Sequence, residues 1–267
     1  MTWRRRGGCC AKRAKIIPRP NTAAPERTPS SDRILGGRVR LVQPATGYRA
    51  AVDPVLLAAA VPAGDGDRVL DLGTGVGAAA LCLAARVPGC AITGLELQPA
   101  MTRLAAENIA LNSMAGRVSV VQGDIAAPPA GLGGDYDHVI ANPPYLPRER
   151  AEPSARDDPS AVETGATLAD WIAGAASRAR RKGTVTLIHR ADRLDELLAL
   201  LRTVAGDIAV MPLWPRQGAP AKRVLVRART GVASPTRLLA GMALHETDGD
   251  YTLAAEAVLR DAAPIEF

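Results

Sequence analysis

Between Arg68 and Val204, short apolar runs alternate with helical patterns, and this alternation restricts the possible folds more than any other feature of the chain. Val69–Asp71, Ala91–Leu97, Val118–Gln122, Asp137–Ala141 and Thr184–His189 read as strands. About Ala78–Arg86, Pro99–Asn112, Thr167–Arg181 and Asp192–Val204 read as helices. A strand that recurs only after a helix crosses over and runs parallel to its predecessor, so a parallel sheet with helices on both faces is expected. Ile208–Leu213 and Arg223–Arg229 follow with no room for a helix between them, which predicts one antiparallel strand. The expected fold is α/β and Rossmann-like, with a mostly parallel seven-stranded sheet.

The flanks differ in character. Residues 1–31 carry Arg4-Arg5-Arg6, four prolines and few apolar side chains, which predicts a disordered basic leader. The main domain is expected over 32–230, and it opens with a hairpin and a helix at 32–62. Arg33 to Leu41 reads as the hairpin, with Gly36-Gly37 at its turn. Asp53-Pro54 reads as an N-cap followed by proline at the first helical position, opening a helix through about Val61. Residues 231–267 form an extension of unknown role with a weak helical pattern at Leu253–Arg260.

Apolar residues make up 47% of the 267 positions, yet there is one Phe, so the core must be built from Ala, Leu and Val. No apolar run reaches the roughly 18 residues a membrane helix needs, and no secretory signal follows the basic start. Cys9, Cys10, Cys82 and Cys90 lack metal-ligand spacing, which suggests free thiols in a reducing, cytoplasmic setting and no metal site. The net charge of +6 is uneven, with +9 in residues 1–40 and −3 in the remainder. A solvated leader accounts for that arm, and contact with nucleic-acid phosphates is the functional alternative.

Two stretches carry chemistry. Asn142-Pro143-Pro144-Tyr145 directly follows the fourth strand. Its prolines fix φ and remove backbone donors, leaving a stiff loop with carbonyls able to accept from something else. Asn142 Oδ1 and the Pro143 carbonyl suit the two hydrogens of a planar amine, and Tyr145 offers a face for its ring; an ordinary turn is the plainer account. Asp71-Leu72-Gly73-Thr74-Gly75-Val76-Gly77 joins the first strand to the first helix, where glycines let the backbone approach a ligand. The spacing Gly73-x-Gly75-x-x-Ala78 also fits a dinucleotide site, but Asp71 would repel a pyrophosphate and attract a cationic amine. Glu96, 25 residues after Asp71, ends the second strand, where a carboxylate can accept both ribose hydroxyls. Asp124 lies just beyond the third strand, placed to accept from an adenine amino group. These carboxylates suit S-adenosylmethionine, which carries an ammonium, a sulfonium, a ribose and an adenine but no phosphate.

Asp71 to Gly77, Glu96, Asp124 and Asn142 to Tyr145 resemble the successive motifs of class I S-adenosylmethionine-dependent methyltransferases. Gln43-Pro44, Gly47-Tyr48-Arg49, Asp53-x-x-Leu56-Leu57, Trp171 and Arg181-Lys182-Gly183 resemble the bacterial tRNA1(Val) adenine-N6 methyltransferase family, over most of residues 33–229. The resemblance implies N6 methylation of an adenine in tRNA, with S-adenosyl-L-methionine bound at Asp71, Gly73, Gly75, Gly77, Glu96 and Asp124. It implies catalysis at Asn142, Pro143, Pro144 and Tyr145. Tyr48, Arg49, Arg148 and Arg150, together with Arg156, are the expected phosphate contacts, and the long loop Leu146–Ala166 is expected to act as a substrate-engaging lid. Arg178, Arg180, Arg181 and Lys182 read as a solvated helix end. The chain is expected to act as a monomer without membrane association. The competing expectations are a protein N5-glutamine methyltransferase, which offers the same planar amide to the same motif, a DNA adenine methyltransferase, and a non-catalytic nucleic-acid-binding protein on this fold.

Overall fold

The computed structural model describes residues 30–44, 50, 52–147, 162–163 and 165–267. The expected leader up to Pro29 and the predicted contacts Tyr48, Arg49, Arg148, Arg150 and Arg156 lie outside the described residues, as does most of the loop expected to be a lid.

The chain opens with β1 (Ser30–Ile34) and β2 (Val39–Gln43), an antiparallel hairpin in register from Ser30↔Gln43 to Ile34↔Val39. The pairing takes in the last two residues of the stretch expected to be leader, Ser30 and Ser31. Then follow α1 (Val52–Ala59), β3 (Arg68–Leu72), α2 (Ala78–Arg86), β4 (Ala91–Glu96), α3 (Pro99–Leu111) and β5 (Val118–Gln122). The chain continues through β6 (Tyr136–Ala141), the two-residue pair β7 (Leu146–Pro147) and β8 (Val162–Glu163), and α4 (Leu168–Arg178). It ends with β9 (Ala179–Arg190), α5 (Leu194–Val204), β10 (Ala205–Arg216), β11 (Arg223–Thr230), β12 (Arg237–Leu238), β13 (Met242–His245) and α6 (Leu253–Asp261).

The seven expected strands form one sheet in the order β5-β4-β3-β6-β9-β11-β10, parallel except for β11, which runs antiparallel to both its neighbours. Two short strands of the C-terminal segment, β12 and β13, add to the outer edge of β10. The order reverses at β3, so the carboxyl ends of β3 and β6 flank the crevice where open α/β sheets bind ligands. Buried Val55, Leu56, Leu57, Leu81, Leu83, Ile109 and Val258 bring α1, α2, α3 and α6 onto one face. Leu168, Trp171, Ile172, Leu197 and Leu201 bring α4 and α5 onto the other.

Two local expectations are corrected. Asp53 does not cap α1: the helix starts at Val52, and Asp53 sits within its first turn with its carboxylate turned elsewhere. Arg180, Arg181 and Lys182 do not extend α4, which stops at Arg178. Pairing of Ala179 with Tyr136 and an ion pair from Arg180 Nε to Asp137 Oδ1 at 2.6 Å draw this stretch into β9 instead. Lys182 takes φ +65° where the β6–β9 register shifts, so the backbone bulges there.

Candidate active site

The glycine turn after β3 has a local reason for each glycine. Gly73, Gly75 and Gly77 all have positive φ, at 65°, 57° and 85°, a region that costs an L side chain about 1–2 kcal/mol. A Cβ on Gly73 would stand 2.3 Å from Trp171 Cη2, whereas one on Gly75 would meet nothing within 4 Å. The turn is thus packed tightly against α4 at Gly73 and opens onto space at Gly75.

Polar contacts fix its shape. Gly75 N–H donates to Glu96 Oε2 at 2.9 Å and Gln98 N–H to Glu96 Oε1 at 2.8 Å, so the carboxylate ending β4 holds the turn after β3. The Thr74 hydroxyl donates to Asp71 Oδ2 at 2.6 Å. Asn108 of α3, fully buried, donates through Nδ2 to Val76 O and to Val42 O, each at 3.0 Å, tying the turn to the hairpin. Asn108 carried no motif signal, because its partners are backbone groups, the Val42 N–H included.

Burial governs the titration of both acids. Desolvation pushes Asp71 up to about 7, against the opposing bonds from Thr74 and the Ala80 backbone. Glu96 is also raised by burial, although backbone N–H groups of Gln98, Gly75 and Leu97 pull it down. Asp124 is exposed, and its Oδ1 accepts from the Ala126 N–H at 2.9 Å. A cavity of about 370 Å³ adjoins these strand ends, lined by Leu72, Leu95, Ile125, Leu132, Ala173 and Gly174 among others. Residues adjacent in sequence to Gly73, Glu96 and Asp124 form its walls.

The second half of the site lies beside the first. Leu72 pairs with Ala141 in the β3–β6 register, so Asn142 leaves the sheet abreast of Gly73. Pro143 is buried, and Asn142, Pro144 and Tyr145 are half-buried. The Tyr145 hydroxyl is 2.5 Å from Asp53 Oδ2 and 2.7 Å from Asn142 Oδ1. Arg223 Nε donates to Asp53 Oδ2 at 3.1 Å, and its guanidinium carbon lies 4.4 Å from the Tyr145 ring centroid. Hence one face of the ring expected to stack on a base is covered by a cation. His189 meets the ring edge-on at 5.6 Å, and Arg193 Nη1 donates to the Tyr145 carbonyl at 3.5 Å. Burial, then the Arg193 charge, push His189 down to about 4, so it is a neutral imidazole near pH 7.

Sequence reasoning did not bring Arg223, His189 or Arg193 to this site. The only signal was indirect: β11 is antiparallel, so its first residue emerges at the same sheet end as the last residues of the parallel strands.

S-adenosylmethionine fits what is present. The Gly75 opening admits a ligand against bare backbone, Glu96 offers a carboxylate at its rim, and the buried Asp71 would gain from a neighbouring cation. Comparison with known proteins bears on the same point. Residues 51–158 match the family model of the methyltransferase small domain. A tRNA1(Val) (adenine(37)-N6)-methyltransferase of Aeromonas hydrophila subsp. hydrophila is 31% identical over 209 residues, which is 76% of this chain and 85% of that protein. The chain belongs to the class I S-adenosylmethionine-dependent methyltransferases that include this enzyme. A release factor glutamine methyltransferase of Deinococcus radiodurans is 38% identical over 153 residues, covering 54% of this chain and about half, 53%, of that protein. Among solved structures, a predicted O-methyltransferase from Agrobacterium tumefaciens aligns with a TM-score of 0.68 at 27% identity, over 80% of this chain and 98% of its own. The methyltransferase uses S-adenosyl-L-methionine as its cofactor. Among the described residues no helix is long and apolar enough to cross a membrane, and no group of three His, Cys, Asp or Glu could hold a metal ion.

Proposed function

We propose that this methyltransferase modifies the exocyclic N6 of an adenine in RNA, with tRNA as the substrate class. The observation that carries this reading is the juxtaposition of Asn142 with Gly73, set by the Leu72↔Ala141 register, in a chain that aligns along 85% of a tRNA adenine-N6 enzyme. The cofactor, when bound, supplies an electrophilic methyl group on a sulfonium. Asp71, Gly73, Gly75, Gly77, Glu96 and Asp124 are its proposed ligands, with Glu96 on the ribose hydroxyls and Asp124 on the adenine amino group.

The lone pair of an adenine amine is delocalised into its ring. Acceptance of its hydrogens by Asn142 Oδ1 and the Pro143 carbonyl would pull the nitrogen toward tetrahedral geometry and make that pair available. Those contacts strengthen as positive charge develops on nitrogen, so they favour the transition state over the ground state. The surplus proton can leave to solvent, and no general base is required. Tyr145 would receive the target base on the ring face opposite Arg223, replacing part of the stacking lost when the base leaves its strand, about 1–3 kcal/mol. Tyr48, Arg49, Arg148 and Arg150 remain proposed phosphate contacts.

Incubation of the protein with labelled cofactor and total tRNA, ribosomal RNA, DNA or release-factor protein, followed by nucleoside and amino-acid analysis, tests the assignment. N6-methyladenosine in the tRNA fraction is the expected product. The second reading, transfer to a glutamine amide, draws on the 38% identity to the release factor enzyme. Label found only in glutamine would replace the first with it.

Cofactor binding should also release a proton at mildly acid pH. Asp71 titrates near 7 in the free protein, and a cation placed beside it would hold it ionised. Affinity should therefore rise close to tenfold per pH unit up to about 7 and then level off. The folded-state pKa lies above the unfolded one, so the free protein gains stability from this group below about 4 and loses it as pH rises through 7. Calorimetric titration across that range checks the prediction, and an unchanged slope in Asp71→Asn would rule out this carboxyl as its source.

A further inference from the structure

Among the described residues, the Tyr145 phenol has one proton and two acceptor oxygens within reach. Asp53 Oδ2 lies at 2.5 Å and Asn142 Oδ1 at 2.7 Å. The shorter separation matches an O–H donor to an ionised carboxylate, and the longer one matches a pair of neutral groups. Asp53 is ion-paired with Arg223, whose Nε donates to the same oxygen at 3.1 Å. Burial pulls the Arg223 guanidinium down, but Asp53 and Tyr145 outweigh it and keep it charged. Asp53 therefore outcompetes the neutral amide for the single proton.

The consequence falls on Asn142. With its hydrogen directed to Asp53, the Tyr145 oxygen presents a lone pair to the amide, and two acceptors facing each other at 2.7 Å repel. The amide relieves this by turning over, so that Nδ2–H donates to the Tyr145 oxygen and Oδ1 swings toward the incoming amine. We propose that Asp53, supported by Arg223, is a positioning residue that takes the Tyr145 proton and so orients the Asn142 amide oxygen toward the substrate's NH2 group. The inference rests on the proposed role of Asn142. Asp53 reaches this place from the first turn of α1, and Arg223 from the first residue of β11. Both belong to elements outside the proline loop.

The test combines kinetics with a spectroscopic signature. Asp53→Asn and Tyr145→Phe are each expected to slow single-turnover methyl transfer to total tRNA about 10- to 100-fold, the range for a lost hydrogen bond involving a charged group. Cofactor Kd and the KM for tRNA should stay within about twofold, since the groups act through Asn142. The double variant should be no slower than the slower single one, because both changes break one chain of contacts. Independently of any activity, the side-chain amide NMR signals of Asn142, assigned with Asn142→Asp, should move in both single variants. They should stay in place in Arg260→Gln, an exposed position on α6 whose side chain pairs with Glu256.

Rate losses that multiply in the double variant, or Asn142 amide signals that do not respond to Asp53→Asn, would overturn the inference. So would a fall in rate matched by an equal fall in cofactor affinity. Should the wild-type protein methylate none of the RNA, DNA or protein fractions, the functional reading fails, while the amide signals still decide the role of Asp53. If Asp53→Asn does not fold, Tyr145→Phe carries both measurements.

Discussion

Replacing Asn142 by alanine is expected to lower the single-turnover rate of methyl transfer about 100- to 1000-fold, the usual effect of removing one preorganised partner of developing charge. Cofactor affinity should barely change. Asn142 lies abreast of Gly73, and the glycine turn is shaped by bonds from other residues: Gly75 is held by Glu96, Val76 by Asn108 and Asp71 by Thr74. Stability should also change little, because Asn142 is half-buried and follows a strand rather than filling the core. Rapid-quench transfer of labelled methyl, paired with calorimetric titration of the cofactor, separates these effects. A variant with normal turnover would remove Asn142 from the chemistry, and one that lost the cofactor in proportion would move it to the binding site.

Gly73→Ala should destabilise the protein by about 2–5 kcal/mol. About 1–2 kcal/mol comes from placing an L side chain at φ +65°, and about 1–3 kcal/mol from crowding a closely packed wall. That wall is the Trp171 ring, whose Cη2 would stand 2.3 Å from the new methyl group. Trp171 is buried among the residues that seat α4, so it cannot swing aside without disturbing that helix. Urea denaturation measures the loss. In a Trp171→Leu background the crowding part should disappear while the backbone part remains. Gly75→Ala offers the contrast: it carries similar φ strain at 57° but has open space, so its cost should be confined to about 1–2 kcal/mol. Equal costs at the two positions would show that Trp171 does not press on the turn.

The distinction between Gly73 and Gly75 marks how far the sequence could be read. Both glycines announce a turn that needs left-handed backbone, and their place between an apolar run and a helix locates that turn at the carboxyl end of a parallel strand. Which one touches a tryptophan about a hundred residues away, and which one faces a ligand, is a matter of packing. Asp53 shows the same limit from the other side. Asp followed by Pro is a sound helix-start signal, and a helix does begin there, yet its carboxylate serves Tyr145 and Arg223 instead of the helix end. Local preference fixed the element, while a partner 170 residues away redirected the side chain. The misplaced end of α4 has a similar cause. Helical preference runs on through Arg178–Lys182, but pairing with β6 and the Asp137–Arg180 contact outweigh it.

The sequence by itself determined the alternation of elements, hence the parallel sheet with one reversed strand. It also placed three acids and a proline-locked asparagine at strand ends. Period, turn residues and strand-end chemistry are local, and neighbouring residues suffice to encode them. Only the tertiary structure decided that Asp53, Arg223, His189 and Arg193 converge on Tyr145, that Asn108 and Trp171 brace the glycine turn, and that the last 37 residues extend the sheet edge and pack α6 on α1. These are contacts between segments far apart in the chain. They exist because the sheet order brings those segments to one place and burial makes their pairing favourable, and no stretch of sequence read alone carries that information.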